Sequence, residues 1–362
     1  MGVGGVADGE SAVIGELDPS TRALCHGTAL RRARIRTPTA PRVRDPYRER
    51  RFPTMRGAFE SSNVGAILQS IPRVVSTRMP PPSESPVPAS VDVLLCERVE
   101  SGEFELPVLP ETAAQVLTLS QDVACETKDV AALIERDQSL AAHVLRMANS
   151  VAFSPAQPIV SLQQGITRLG LSTLCEITVA VVVKGTVFKV PGFERALRDL
   201  WRHSSMTGVF AKEIARTVRR NVEGAFLCGL LHDIGKPVTL SFLPEICKAT
   251  SVELSAEIGE AAMERHHSLI GGVLMGKWGL APWVETAATY HHDYANARDH
   301  KISAMVTCLA DHLAHWAMQS RDISEEDLFE LPVVADLDLY EGDLTSLLAE
   351  RDRAIEMAET FL

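Results

Sequence analysis

The sequence predicts an all-α protein, on three observations. Aromatic residues make up only 5% while alanine and leucine are plentiful, which favours helices over sheets. From about residue 105, apolar residues recur at helical spacing. Between 105 and 320 no alternating run long enough for a strand interrupts them.

The elements follow in order. "LPVLPETAAQVLTL" starts a helix after Pro110. Val130, Leu133 and Ile134 fall at i, i+3 and i+4, with Asp129 placed to meet the helix dipole in the first turn. Asp137 caps a helix carrying Leu140, Val144, Leu145 and Ala148, which Asn149-Ser150 stops. Ser161 caps "LQQGITRL", and Gly170 stands where a helix end prefers a left-handed residue. "STLCEITVAVVVKGTVF" is the next apolar helix. A second set runs "FERALRDLWRHSSMTGVFAKEIARTV", "GAFLCGLLHDIGK", "ERHHSLIGGVLMGKWGL", "PWVETAATYHHDY" and "ISAMVTCLADHLAHW". The acidic residues 320–362 predict one or two terminal helices packed on the domain's edge.

The ends of the chain read differently. Residues 1–56 are rich in Gly, Pro and Arg without a sustained period, which predicts a disordered tail. Met55 and Met79 read as alternative start positions. Residues 57–75 read as one short amphipathic helix, and "MPPPSESPVPAS" (79–90) reads as a linker.

Composition excludes some classes of function. The net charge is −11, which opposes nonspecific nucleic-acid binding despite the basic stretch "RRARIRTP". The seven cysteines show no CxxC spacing and read as reduced thiols of a cytoplasmic protein. The first 30 residues lack an apolar segment, so no signal peptide is expected. "ITVAVVVKGTVF" is too short for a membrane span and carries Lys184.

Nine of the eleven histidines lie between 203 and 315. A lone helical histidine is usually a satisfied core or surface residue, but two adjacent pairs plus a His-Asp doublet in one region form a pattern. Divalent transition metals take imidazole nitrogen and carboxylate oxygen, and a centre built from several helices needs one or two ligands from each. His203, His232-Asp233, His267, His291/His292 and Asp311 supply that set. A two-metal centre of this kind activates water and holds a phosphate. On its helix, Asp311 points away from the stripe of Ile302, Met305, Val306, Leu309 and Leu313. It stands beside Ala304, Thr307, Cys308 and His315, a poor solvent face, so a second buried face around a polar pocket is expected. Lys236, three residues after the doublet, either contacts a phosphate or is a solvated residue near a helix end.

His203, His232-Asp233 and Asp311 resemble the signature of the HD superfamily of metal-dependent phosphohydrolases. With His267, "HH" at 291–292 and "HDIGK", the set is similar to that of the HD-GYP phosphodiesterases. The Gly-Tyr-Pro loop that should follow the histidine pair is replaced here by "HHDYANARDHKIS". A fuller match spans roughly 104–316. "ERDQSLAAHVLRMANS", "IVSLQQGITRLGLSTL", "LWRHSSMTGVFAKEIA" and "HHSLIGGVLMGKWGLAPWVETAATYHH" look, in order, like an HDOD domain.

That resemblance implies a helical HD-like fold preceded by an N-terminal helical bundle. The expected organisation is a tail and linker over 1–98, an HDOD domain over 99–320, and a C-terminal helical extension over 321–362. The domain divides into a bundle over 99–190 and an HD-like subdomain over 191–320. The resemblance also implies a bacterial signalling or regulatory module that binds a partner protein or a nucleotide. Many relatives have incomplete metal ligands; here each position is filled, so one or two ions of iron, manganese or zinc are expected. The alternative is a metal-dependent phosphohydrolase acting on a nucleotide or cyclic dinucleotide, with Asp233 and Lys236 as its catalytic residues. No receiver or cyclic-nucleotide output domain fits within 1–104 or 320–362, so input is expected from a separate protein or ligand.

Overall fold

The structure, a computed structural model, describes residues 86–101, 107–121, 126–149 and 157–361. The expected tail over 1–56, the helix at 57–75, Cys25 and Cys125 lie outside the described residues. Among the described residues there are helices and no strands, so the fold is all-α.

The elements are α1 (Ala89–Ser101), α2 (Glu111–Gln121), α3 (Thr127–Glu135), α4 (Gln138–Ala148), α5 (Leu162–Leu169) and α6 (Leu171–Val187). They continue with α7 (Glu194–Thr217), α8 (Val222–Leu231), α9 (Gly235–Ala249), α10 (Ala256–Lys277) and α11 (Pro282–Tyr290). After a 3₁₀ turn at Tyr294–Asn296 come α12 (Lys301–Met318), α13 (Glu325–Phe329), α14 (Pro332–Asp336), α15 (Glu341–Ala349) and α16 (Arg351–Thr360).

Local chemistry explains several boundaries. Asp137 accepts hydrogen bonds from the Ser139 and Leu140 amides and so starts α4. Ser161 caps α5 by accepting from the Gln164 amide. Gly170 ends α5 at φ 82°, which a side chain would resist, and the chain turns there by 117° into α6. No single described helix is long and apolar enough to cross a membrane.

In the bundle, α2 and α4 pack on α6, and α3 packs on α5. In the second subdomain α7 is central, packing against α8, α12 and α16, while α10 joins α9 to α11. Trp201 and Phe210 of α7 are fully buried there.

Two expectations are corrected. Residues 89–98 are not linker, because α1 covers them. Val87, Val91, Leu95 and Val99 repeat at four-residue spacing and are all buried, which makes an apolar stripe along one face. Moreover, α1 reaches the second subdomain. Asp92 pairs with Arg265 Nε at 2.9 Å and His266 Nε2 at 2.7 Å, and Arg98 pairs with Glu245 at 2.6 Å. The described C-terminal segment forms four short helices instead of one or two, and Phe361 is buried. The carbonyl of Phe361 accepts from Trp201 Nε1 at 2.9 Å and from Lys184 Nζ at 3.1 Å.

Candidate metal centre

His232, Asp233 and Ile234 form the turn between α8 and α9, where a single helical run was expected. The tight turn aims both His232 and Asp233 inward. His203 comes from α7, His267 from α10, and Asp311 from α12, while His291 and His292 follow the end of α11. Both faces of α12 are buried, including Ala304, Thr307, Cys308 and Asp311, so the second buried face exists; Ile302 of the apolar stripe is the exposed exception.

The donor atoms fall into two lobes. In the first, His203 Nε2 lies 2.9 Å from Asp311 Oδ1 and 3.4 Å from His232 Nε2. His232 Nε2 lies 3.4 Å from Asp233 Oδ2 and 3.6 Å from Asp311 Oδ1. In the second, His267 Nε2 lies 3.3 Å from His291 Nε2, 3.2 Å from His292 Nε2 and 3.4 Å from Asp233 Oδ1. Asp233 therefore stands between the lobes, with one oxygen facing each.

These separations suit a shared cation. Two donors about 2.1 Å from one ion stand about 3.0 Å apart at a right angle and about 3.4 Å apart at the tetrahedral angle. The hydrogen bonding agrees. His232 Nδ1 lies 2.7 Å from the Gly229 carbonyl. His267 Nδ1 lies 2.9 Å from the Met263 carbonyl, and His291 Nδ1 lies 3.1 Å from the Ala287 carbonyl. A carbonyl only accepts, so each Nδ1 carries the proton and each Nε2 faces the centre, as metal-ligating histidines require. Asp233 is buried, and neither of its oxygens receives a hydrogen bond of good geometry. The Lys236 ammonium meets Oδ2 alone, which leaves Oδ1, facing the second lobe, open to a further cation. The residues present thus fit a metal site.

Charge reinforces this. Burial opposes protonation of His232, but the Asp233 and Asp311 carboxylates overcome it and raise its pKa to about 10. Burial also opposes ionisation of both aspartates. The facing histidines, and Lys236 for Asp233, nonetheless hold their carboxyls well below the usual range. Burial pushes His267 down to about 4 and His291 down to about 3, so both are neutral at pH 7 and free to ligate. A proton on His232 thus sits where a cation would replace it.

Lys236 is buried, with Nζ 2.9 Å from Asp233 Oδ2 and 2.9 Å from Glu264 Oε1. Glu264 was not anticipated, because nothing in the sequence links α10 to Lys236. His315 was seen beside Asp311 but given no role. Its Nε2 is 3.5 Å from Asp311 Oδ1 and has no hydrogen-bond partner, and its ring stacks on His203 with centroids 4.3 Å apart. Its i+4 spacing from Asp311 was the available signal.

The HDOD domain family model matches residues 106–294, just over half the chain. The chain belongs to the HDOD family. The helix carrying Asp311 lies beyond the matched residues. A relative from Treponema pallidum (strain Nichols), described as an uncharacterized protein, is 26% identical over 201 residues. The match covers 53% of this chain and 39% of that protein, so the chain spans well under half of that relative's length. The fold is similar to that of a candidate metal-dependent phosphohydrolase from Shewanella amazonensis SB2B (TM-score 0.60, 21% identity, 75% of this chain and 99% of that one). It is also similar to a candidate signal transduction protein from Marinobacter aquaeolei VT8 (TM-score 0.55, 23% identity, 71% of this chain and 60% of that one).

Proposed function

We propose that this chain is a cytoplasmic signalling module whose His/Asp centre holds one or two ions of iron, manganese or zinc. With them it binds a phosphate-bearing ligand of the nucleotide class, and the bound state is read by a partner protein. The observation that carries this reading is Asp233, a buried carboxylate presenting one oxygen to each histidine lobe, with only Oδ2 met by the Lys236 ammonium. Family membership and the description of the Marinobacter protein support the signalling half.

A bound divalent ion would supply Lewis acidity toward a phosphate oxygen. The chain's own residues do the rest. His203, His232, Asp233 and Asp311 would hold one position, and Asp233, His267, His291 and His292 the second. Lys236 keeps Asp233 ionised, and Glu264 holds Lys236 in place. His292 is the exposed member of its lobe, which puts the approach from solvent on that side.

A second reading is a metal-dependent phosphohydrolase, favoured by the two lobes sharing one carboxylate, the arrangement that two-metal hydrolysis uses. Purified protein loaded with manganese, iron or zinc is tested for binding and then for turnover of nucleotides and cyclic dinucleotides. Metal-dependent binding without product supports the module; metal-dependent product supports the enzyme; no metal-dependent binding contradicts both.

A further inference from the structure

Beyond the histidine centre, at the C-terminal end of α12, lies an open surface cavity of about 650 Å³. That volume is in the range of small-molecule sites. Trp316 and Ile323 give it an apolar wall, Arg321 and Arg351 give it guanidinium groups, and Asp322 and Glu325 add carboxylates.

Both arginines have donors to spare. Arg351 lies over the Trp316 ring at 5.4 Å, and its Nη2 donates to the Ala317 carbonyl at 3.1 Å. Arg321 is 42% exposed at its side chain and reaches Glu264 Oε2 only at 3.9 Å. Two guanidiniums lining one cavity suit a phosphate, which takes paired N–H donors.

Residues lining the cavity also touch residues of the metal centre. Arg321 faces Glu264, which holds Lys236, which pairs with Asp233. Ser320, another lining residue, lies 2.7 Å from His315 Nδ1, and that ring stacks on His203.

We propose that this cavity binds a nucleoside monophosphate. Arg321 and Arg351 take the phosphate, Asp322 or Glu325 accepts from the sugar hydroxyls, and Trp316 and Ile323 flank the apolar parts. Carboxylates beside the arginines fit this ligand, since ribose hydroxyls donate to acidic side chains in nucleotide sites. They would repel a bare polyanion. Here the ligand class rests on the reading above, whereas the site is a different one.

The test is calorimetric titration of the full chain with adenosine 5′-monophosphate, inorganic phosphate and adenosine. It uses wild-type protein, chelator-treated protein, Arg321→Ala and Arg321→Lys, with folding checked by circular dichroism. The monophosphate is expected to bind wild-type and chelated protein alike, and more tightly than phosphate or adenosine alone. Arg321→Ala is expected to weaken it about tenfold or more, and Arg321→Lys less, because charge survives but the paired donors do not. Equal affinity in Arg321→Ala, or no binding at millimolar ligand, overturns the cavity assignment. If affinity instead disappears on chelation and survives Arg321→Ala, the nucleotide sits at the metal centre; the cavity fails while the reading of that centre stands.

Discussion

A Cβ atom built on Gly235 would lie 2.0 Å from the carbonyl oxygen of His267. Gly235 opens α9, two residues after Asp233, and His267 lies on α10, so the close approach of these helices brings Asp233 beside His267. The glycine of "HDIGK" is thus explained by contact between two backbones, with no special φ required.

Gly235→Ala is therefore expected to push α9 from α10. Overpacking of this kind destabilises by about 3 kcal/mol. Urea unfolding of the variant measures that loss, and elemental analysis of the folded fraction is expected to show reduced metal. Unchanged stability would mean that the helices have slack.

The metal-free protein is expected to have a stability optimum whose sides come from different histidines. His267 at about 4 and His291 at about 3 lie below the unfolded value near 6.5. From about pH 6.5 down to 4 the unfolded chain binds more protons, so stability falls with falling pH. His232 at about 10 lies above its unfolded value. Its contribution is complete below pH 6.5 and is lost as pH rises through 10. Melting of chelated protein across a pH series is expected to lose temperature on both sides, and His267→Gln to flatten the acid side. A melting maximum below pH 5 would contradict this.

Lys236→Met leaves Asp233 buried without its ammonium partner. Removing one member of a buried pair destabilises by about 3 kcal/mol or more. The loss is expected in chelated protein and is expected to shrink when metal is added, since the ion compensates the same carboxylate. Denaturant titrations with and without manganese decide it; equal losses would mean that Asp233 does not face a bound ion.

Much of this was legible in the sequence because it was local. Caps at Asp137 and Ser161, the stop at Asn149 and the turn at Gly170 are written in single residues and their near neighbours. The His and Asp residues of the centre were named by chemistry and by their resemblance to a known ligand pattern; their pairing across helices was not visible. Glu264 was missed because its partner Lys236 sits on another helix. Helix α1 was missed because the Pro/Ser stretch before it dominated the reading, although Val91, Leu95 and Val99 carried the helical spacing. The C-terminal elements were under-counted because α13 and α14 span five residues each, too short for a periodic pattern.

The measurement that bears most directly on the centre is elemental analysis of the purified protein beside Asp233→Asn, which keeps the shape but removes the charge between the lobes. The expected result is one or two equivalents of iron, manganese or zinc in the wild type, lost in a variant that stays folded. A folded wild type that carries no metal, and takes up none when offered these ions, would contradict a metal centre at Asp233.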